Sequence, residues 1–389
     1  MGTRYPVPIK FEIEKCSGCG ICYSICPFEA ISRNGEKIKI NFEKCQLCGM
    51  CSSICPSSTI KTDYYDYESL ISEVKKKKQE SDADKLLLMC RGAIPHFCDS
   101  IDVLKEGDSE FLTMRLPCVG RLKTEFYLQS LAAGFKKIIT VQCTGDSCHY
   151  RKGSHFNKVR TLELKELLGE MGYGDVIEII EHSHEIKYNP ERCVGCDKCV
   201  YICPYDAIEA QPLSTPKIHP KKCKKCGLCT IICPHLGLQI EDFETENISS
   251  AISSYSKNVK ELKNKGVSPV ILVFCCQWAE FSALDNLENG FLRENVALIE
   301  IPCFSSLNPS HIAQALKSGF DGVLAVVCSD EDCQSKESRR ETDESFDVLN
   351  LALRRLNLEN RFSVIKTHPR YLKSFDENID LFLKVVEVL

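Results

Sequence analysis

Four copies of one cysteine string carry the chemistry of this sequence: CSGCGICYSICP (Cys16 to Pro27), CQLCGMCSSICP (Cys45 to Pro56), CVGCDKCVYICP (Cys193 to Pro204) and CKKCGLCTIICP (Cys223 to Pro234). Each reads C-x2-C-x2-C-x3-C-P. Three thiolates within seven residues can wrap one face of an iron–sulfur cubane. The fourth, displaced and followed by proline, reaches the partner cluster of a pair. The spacing therefore predicts four 4Fe-4S clusters. Cys16, Cys19, Cys22 and Cys55 hold the first, and Cys45, Cys48, Cys51 and Cys26 the second. By the same rule Cys193, Cys196, Cys199 and Cys233 hold the third, and Cys223, Cys226, Cys229 and Cys203 the fourth. Zinc ligands come as two spaced CxxC pairs, not as a run of four with a trailing proline.

Such runs need small folds that join distant loops through metal. Residues 1–67 and 183–245 read as two ferredoxin-like α+β modules, each with little core beyond its clusters. The chain has 389 residues and 43% hydrophobic content, enough for further cores, and 26 cysteines, far more than usual. MGTRYPVPIKFEIEKC has no apolar run long enough for a signal peptide, and no stretch approaches a membrane span. The expected location is therefore a reducing cytoplasm, where cysteines serve metal rather than disulfides. A net charge of −5 gives no reason to propose nucleic acid, and Lys75 to Lys78 read as a solvated helix face.

Between and after the ferredoxin-like modules the texture changes. A polar, helix-prone connector, Tyr67 to Asp84, leads into apolar strands alternating with amphipathic helices, the pattern of a small parallel α/β domain over residues 85–182. LLLMC ends in Cys90, FLTMRLPC in Cys118 and KKIITVQC in Cys143, and the turn CTGDSCHY adds Cys148. In a parallel sheet the carboxyl ends of the strands line one edge, where ligands bind, so four thiols meet there. A single buried cysteine in a strand is ordinarily a small hydrophobe. What argues otherwise is a tandem duplication. A second connector, residues 241 to 266, leads to a second α/β domain over residues 268–389, offset from the first by 185 positions. Cys90 falls on Cys275, Cys118 on Cys303, Cys143 on Cys328 and Cys148 on Cys333. Four cubanes and two four-cysteine sites then leave only Cys98 and Cys276, read as non-ligands, although the adjacent pair Cys275-Cys276 can exchange roles.

The copies differ around these thiols. Arg121 and His149 stand near the first set and can donate hydrogen bonds or set a cluster potential. The second set has Ser305, Asp330, Asp332 and Gln334 instead, and carboxylates beside a cluster lower its potential. The same departures allow a second site that has lost its metal. His182, His184, His219 and His311 have no ligand-like spacing and read as surface or packing residues. Glu181 to Glu185 reads as the linker between repeats, and the C-terminal LFLKVVEVL as a packed helix or a docking element.

The strings CRGA, LPCVGR, LAAGF and CTGDSCHYRKGS resemble the delta subunit of methyl-viologen-reducing hydrogenase, an iron–sulfur subunit that links a hydrogenase to heterodisulfide reductase in anaerobes. The resemblance covers about residues 85–182 and 268–389. It departs from the family's five-cysteine pattern at CCQWA, where Ala279 replaces a cysteine, and at CRGAI. It implies one 2Fe-2S cluster in each such domain, hence one or two in the chain.

The expected function is an electron-transfer subunit that relays single electrons through up to six clusters. No G-x-G-x-x-G follows a strand, so no dinucleotide fold is indicated and substrate chemistry belongs to other subunits. By resemblance the donor is of hydrogenase or formate dehydrogenase type, and the acceptor is a heterodisulfide-reductase-like flavoprotein. The alternative is a redox catalyst in the α/β domains, either a dithiol–disulfide couple or a cluster with an open position. Cys275-Cys276 beside Trp278, and Cys143 with Cys148 and His149, are its candidate groups.

Overall fold

Each C-x2-C-x2-C-x3-C-P run folds the same way. A ligand loop enters a five-residue helix, and the fourth cysteine stands just past the helix end. The four helices are Ile21–Ile25, Met50–Ile54, Lys198–Ile202 and Leu228–Ile232. Helices this short do not persist on their own and depend on what anchors their ends. A computed structural model of the protein describes residues 9–63, 65–94, 111–211, 216–281, 287, 290–371 and 373–388; Cys98 lies outside them. The chain forms two compact units, one holding most residues up to Ser183 and the other most residues from His184.

In the first unit the ligand runs are framed by two antiparallel strand pairs, Ile9–Phe11 with Ile60–Thr62 and Ile31–Asn34 with Lys37–Ile40. The connector forms the helix Tyr67–Gln79, whose start is fixed by Asp66 accepting hydrogen bonds from the Glu68 and Ser69 backbone N–H groups. The lysine run lies on this helix. Lys75 reaches Gln129 at 2.9 Å and Lys77 pairs with Glu73 at 2.5 Å.

A four-stranded parallel sheet follows, in the spatial order Phe111–Leu116, Lys85–Cys90, Lys137–Cys143, Ile177–His182. The chain places its first strand between the second and third, so the direction of winding reverses beside Lys85–Cys90. That reversal opens a crevice at the carboxyl ends, and Cys90, Cys118 and Cys143 all close on it. Glu181 and His182, read from the sequence as linker, are instead the last residues of the fourth strand.

The second unit repeats this plan. Ile186–Tyr188 pairs with Leu238–Ile240, and Ile208–Glu209 with Lys217–Ile218, around the second pair of ligand runs. Its connector is the helix Thr245–Asn264, which buries Ile248, Ile252 and Val259. The sheet order is Phe291–Arg293, Val296–Ile301, Ile271–Cys276, Gly322–Cys328, Phe362–Thr367. The last four strands are parallel, but Phe291–Arg293 pairs antiparallel at the edge. The expectation of a purely parallel sheet is thus corrected for this copy: a tight hairpin before Val296 adds a short edge strand. The C-terminal segment is a packed helix, Ser374–Glu387, which buries Phe375, Ile379, Phe382 and Val386 in the sheet's core. Three of the four histidines without ligand-like spacing have packing or pairing roles. His311 is buried at the start of the Pro309–Lys317 helix, His184 pairs with Asp242 at 3.0 Å, and His219 pairs with Glu209 at 3.0 Å.

Candidate metal centres

The ferredoxin-like modules gather their thiols crosswise. Burial raises the pKa of Cys22, and the nearby Cys55, Cys19 and Cys16 raise it further. Burial pushes Cys45 up to about 11 and Cys48 up to about 12, with Cys26 adding to both. In the second module Cys199 is pushed up to about 11 by burial, with Cys233 and Cys196 beside it. Cys226 and Cys229, raised by burial, both feel Cys223 and Cys203. The displaced cysteine of each run therefore stands with the three thiols of the other run. Backbone N–H groups are aimed at sulfur: Ala30 donates to Cys26 Sγ at 3.4 Å, and Gly237 to Cys233 Sγ at 3.2 Å. Thiols this buried stay protonated on their own, and a cationic metal core is what holds them as thiolates. The donor set and its N–H partners fit an iron–sulfur cubane.

The first α/β crevice holds Cys90, Cys118, Cys143 and Cys148, all buried. Cys90 and Cys143 Sγ are 3.5 Å apart. Cys148 is drawn down to about 6, first by its hydrogen bond with Cys143 and then, against burial, by Ser154 and the Tyr150 backbone. Gly153 forms the floor. A Cβ placed there would lie 2.3 Å from Cys118 Sγ and 3.6 Å from Cys148 Sγ, so any side chain would fill the space between the thiols. Four thiols around such a space fit a metal cluster.

Of the two polar residues expected to tune this site, His149 packs edge-on against Tyr150, with ring centroids 5.0 Å apart. Arg121 is buried and turned toward the ferredoxin-like module, over the Tyr65 ring at 5.2 Å. Its charge acts on Cys48. Gly153 and Ser154 escaped the sequence reading because neither is a ligand type.

In the second copy the sequence reading of Cys275 is corrected by strand register. In the first sheet Cys90 pairs with Leu116, two residues before Cys118, and Met89 pairs with Val141, two before Cys143. In the second, Cys276 pairs with Ile301, two before Cys303, and Cys275 pairs with Val326, two before Cys328. Cys276 thus stands where Cys90 does, and Cys275 where Met89 does. Successive strand residues face opposite sides, so only one of the adjacent pair reaches the crevice. A constant offset along the sequence hides this, because the copies differ by one residue between that strand and Cys118 or Cys303. The thiol contacts agree. Cys276 is raised by its hydrogen bond with Cys328 and by burial, and Cys303 feels both Cys276 and Cys333.

Of the two carboxylates expected beside this site, Asp330 is turned away from it, while Asp332 stays buried. Asp330 is turned outward, 2.7 Å from Lys366 Nζ, and Asp332 accepts from the Ser329 hydroxyl. The charged side chain acting on Cys276 and Cys333 is Arg339, which the sequence reading missed.

In each unit the crevice abuts the second ligand run of its own ferredoxin-like module. Gly49, at φ +80°, would carry a Cβ only 2.8 Å from Arg121 Cβ, and Gly227, at φ +82°, one only 2.5 Å from Ser306 Cβ. Both turns need the left-handed region and the missing side chain. Ser53 Oγ donates to the Gly120 carbonyl at 3.1 Å, and Arg151 Nη1 to the Pro27 carbonyl at 2.9 Å. Across this seam Cys118 feels Cys48, and Cys303 feels Cys226.

Residues 88–186 and 271–389 match the family described as methyl-viologen-reducing hydrogenase, delta subunit, and residues 15–59 and 192–237 match the 4Fe-4S dicluster domain. The chain is similar to a subunit of the ferredoxin/F(420)H(2)-dependent CoB-CoM heterodisulfide reductase from Methanosarcina acetivorans, with 32% identity over 202 residues, 51% of this chain and 25% of that protein. The corresponding ferredoxin:CoB-CoM heterodisulfide reductase subunit from Methanosarcina mazei is 30% identical over the same share of each chain. An F420-non-reducing hydrogenase iron-sulfur subunit from Archaeoglobus profundus is 32% identical over 95 residues, 23% of this chain and 68% of that protein. The chain thus spans about a quarter of the heterodisulfide reductase subunits it matches. The dicluster matches fall on the four ligand runs, which are thus of the 4Fe-4S kind. Among the described residues no helix is long and apolar enough to cross a membrane.

Proposed function

We propose that this chain, which belongs to the methyl-viologen-reducing hydrogenase delta-subunit family, relays single electrons through three metal sites in each of its two units. One observation carries the reading. In both units a thiol of the second ligand run, Cys48 or Cys226, stands near enough to a thiol of the α/β crevice, Cys118 or Cys303, to act on its charge. The first-run groups lie on the far side. Cys51 feels Cys22, and Cys229 feels Cys199, so in each unit the two cubane ligand groups are also adjacent. The order in each unit is therefore first-run group, second-run group, crevice. When bound, iron–sulfur clusters supply one-electron exchange at potentials set by hydrogen bonds and exposure. Cys19 and Cys196, both exposed, put the first-run groups where a partner's redox centre can approach.

The ligands are the sixteen ferredoxin-module cysteines together with Cys90, Cys118, Cys143 and Cys148, and Cys276, Cys303, Cys328 and Cys333. The crevice clusters are of 2Fe-2S type. The donor is a hydrogenase or formate dehydrogenase type enzyme and the acceptor a heterodisulfide-reductase-like flavoprotein, within a cytoplasmic complex. The names of the similar proteins support a hydrogenase and a heterodisulfide reductase among these partners.

Stepwise reductive EPR titration of anaerobically purified protein, with iron quantified beside it, tests this. Four cubanes and two smaller clusters require about twenty irons, with two kinds of signal. About sixteen, with cubane signals alone, would remove the crevices from the relay. A second reading then gains ground. Cys90 and Cys143 at 3.5 Å, beside a Cys148 thiol drawn down to about 6, suit a dithiol–disulfide couple. Titration of free thiols in that sixteen-iron protein separates it from a docking surface.

A further inference from the structure

The second crevice contains a charge that the first lacks at the same place. Arg339 lies 185 positions after Ser154, the residue that hydrogen-bonds Cys148 in the first copy. Its side chain is 4% exposed. Nη1 donates to the Cys328 carbonyl and faces Asp330 Oδ1 at 3.3 Å, while Nε is 3.9 Å from Asp343 Oδ2. Neither Nε nor Nη2 has an oxygen or nitrogen acceptor within hydrogen-bond distance, and the guanidinium donates toward Cys333. Asp330 and Asp343 are 61% and 49% exposed, so the acidic partners sit toward solvent. The charge of the guanidinium acts on both Cys333 and Cys276.

Asp330 and Asp343 balance the guanidinium from the solvent side only, and a buried charged donor facing the thiols is costly unless an anion stands on that side too. Protonated thiols do not supply that anion. Four thiolates around a cluster core do, because their combined charge exceeds that of the iron–sulfur core. We propose that Arg339 is the counter-charge of the second crevice: its guanidinium balances the net negative charge of an iron–sulfur cluster held by Cys276, Cys303, Cys328 and Cys333. The proposal rests on that ligand assignment. Arg339 holds the reduced form, which is more negative by one charge, more strongly than the oxidised form. It therefore raises the potential of the site, opposite to the effect of carboxylates there. An arginine kept under cover for an anion also marks the second copy as a working site rather than a relic.

The test uses the full chain, purified anaerobically, as wild type and as Cys303→Ser, Arg339→Gln and Arg339→Lys. The EPR signal and iron that Cys303→Ser removes identify the second crevice. In Arg339→Gln that signal should titrate at a lower midpoint potential, with the cubane signals unmoved, and Arg339→Lys should recover most of the shift. An unchanged midpoint at full iron content would overturn the proposal. So would loss of the site in both Arg339 variants, which would give the residue a packing role only. If Arg339→Gln loses the site's iron and Arg339→Lys keeps it, the counter-charge stands. Should Cys303→Ser remove neither signal nor iron, the ligand assignment itself fails, and this proposal with it.

Discussion

At the scale of single residues, the sites are shaped as much by what is missing as by sulfur. Gly153 leaves open the space between Cys118 and Cys148, and a branched side chain there must either displace the thiols or fill the crevice. Gly153→Val should abolish the signal and iron of the first crevice while the four cubane signals persist, as read by EPR with metal analysis. His311 tests the packing around the second sheet. Burial lowers its pKa from 6.5 to about 4, so the folded protein keeps it neutral while the unfolded chain protonates. The stability it protects is full above 6.5 and is lost as pH falls from there to about 4, by about 3 kcal/mol in all. Chemical denaturation of the second unit at pH 7 and pH 4.5 should show that loss, and a His311→Gln variant should show a flatter pH dependence.

At the scale of elements, strand ends and seams decide which thiols meet. The Ser374–Glu387 helix presses on the strand Gly322–Cys328 so closely that a Cβ on Gly322 would lie 3.0 Å from the Phe382 ring. Removing that ring from a buried site, Phe382→Ala, should cost about 3–5 kcal/mol and shift the denaturation midpoint of the second unit alone. The crosswise gathering of the ferredoxin-module thiols was legible in the sequence because a C-x2-C-x2-C-x3-C-P run encodes its geometry locally. The three strand-end cysteines of the first copy, and Cys303 and Cys328 of the second, were legible because parallel sheets bring carboxyl ends together. The choice between Cys275 and Cys276 was not, since it turns on one residue of register that spacing along the chain does not reveal. Arg339 and Gly153 stayed hidden for a different reason. Each acts from a helix start, through space, on thiols delivered by other elements.

At the scale of the whole molecule, duplication has kept the architecture and changed the charges. Both units retain the glycine turn at the seam and the four crevice thiols. Arg121 of the first is Ser306 in the second, and Ser154 of the first is Arg339 in the second. The exposure of the thiols also follows one plan, with Cys19 and Cys196 open to solvent and Cys48 and Cys226 buried. Brief exposure to oxygen should therefore bleach the signals of the first-run groups in both units before those of the second-run groups. A freeze-quenched EPR time course reads that order, and simultaneous decay would contradict it. The same burial sets a sequence for biogenesis. A scaffold protein delivering iron and sulfide can reach Cys19 or Cys196 in the closed fold. On the proposed relay, a metal at Cys118, which is wholly covered, would have to enter while the seam at Gly49 is still ajar. Maturation would then run from the inside outward, with the last cluster inserted being the first to meet a partner.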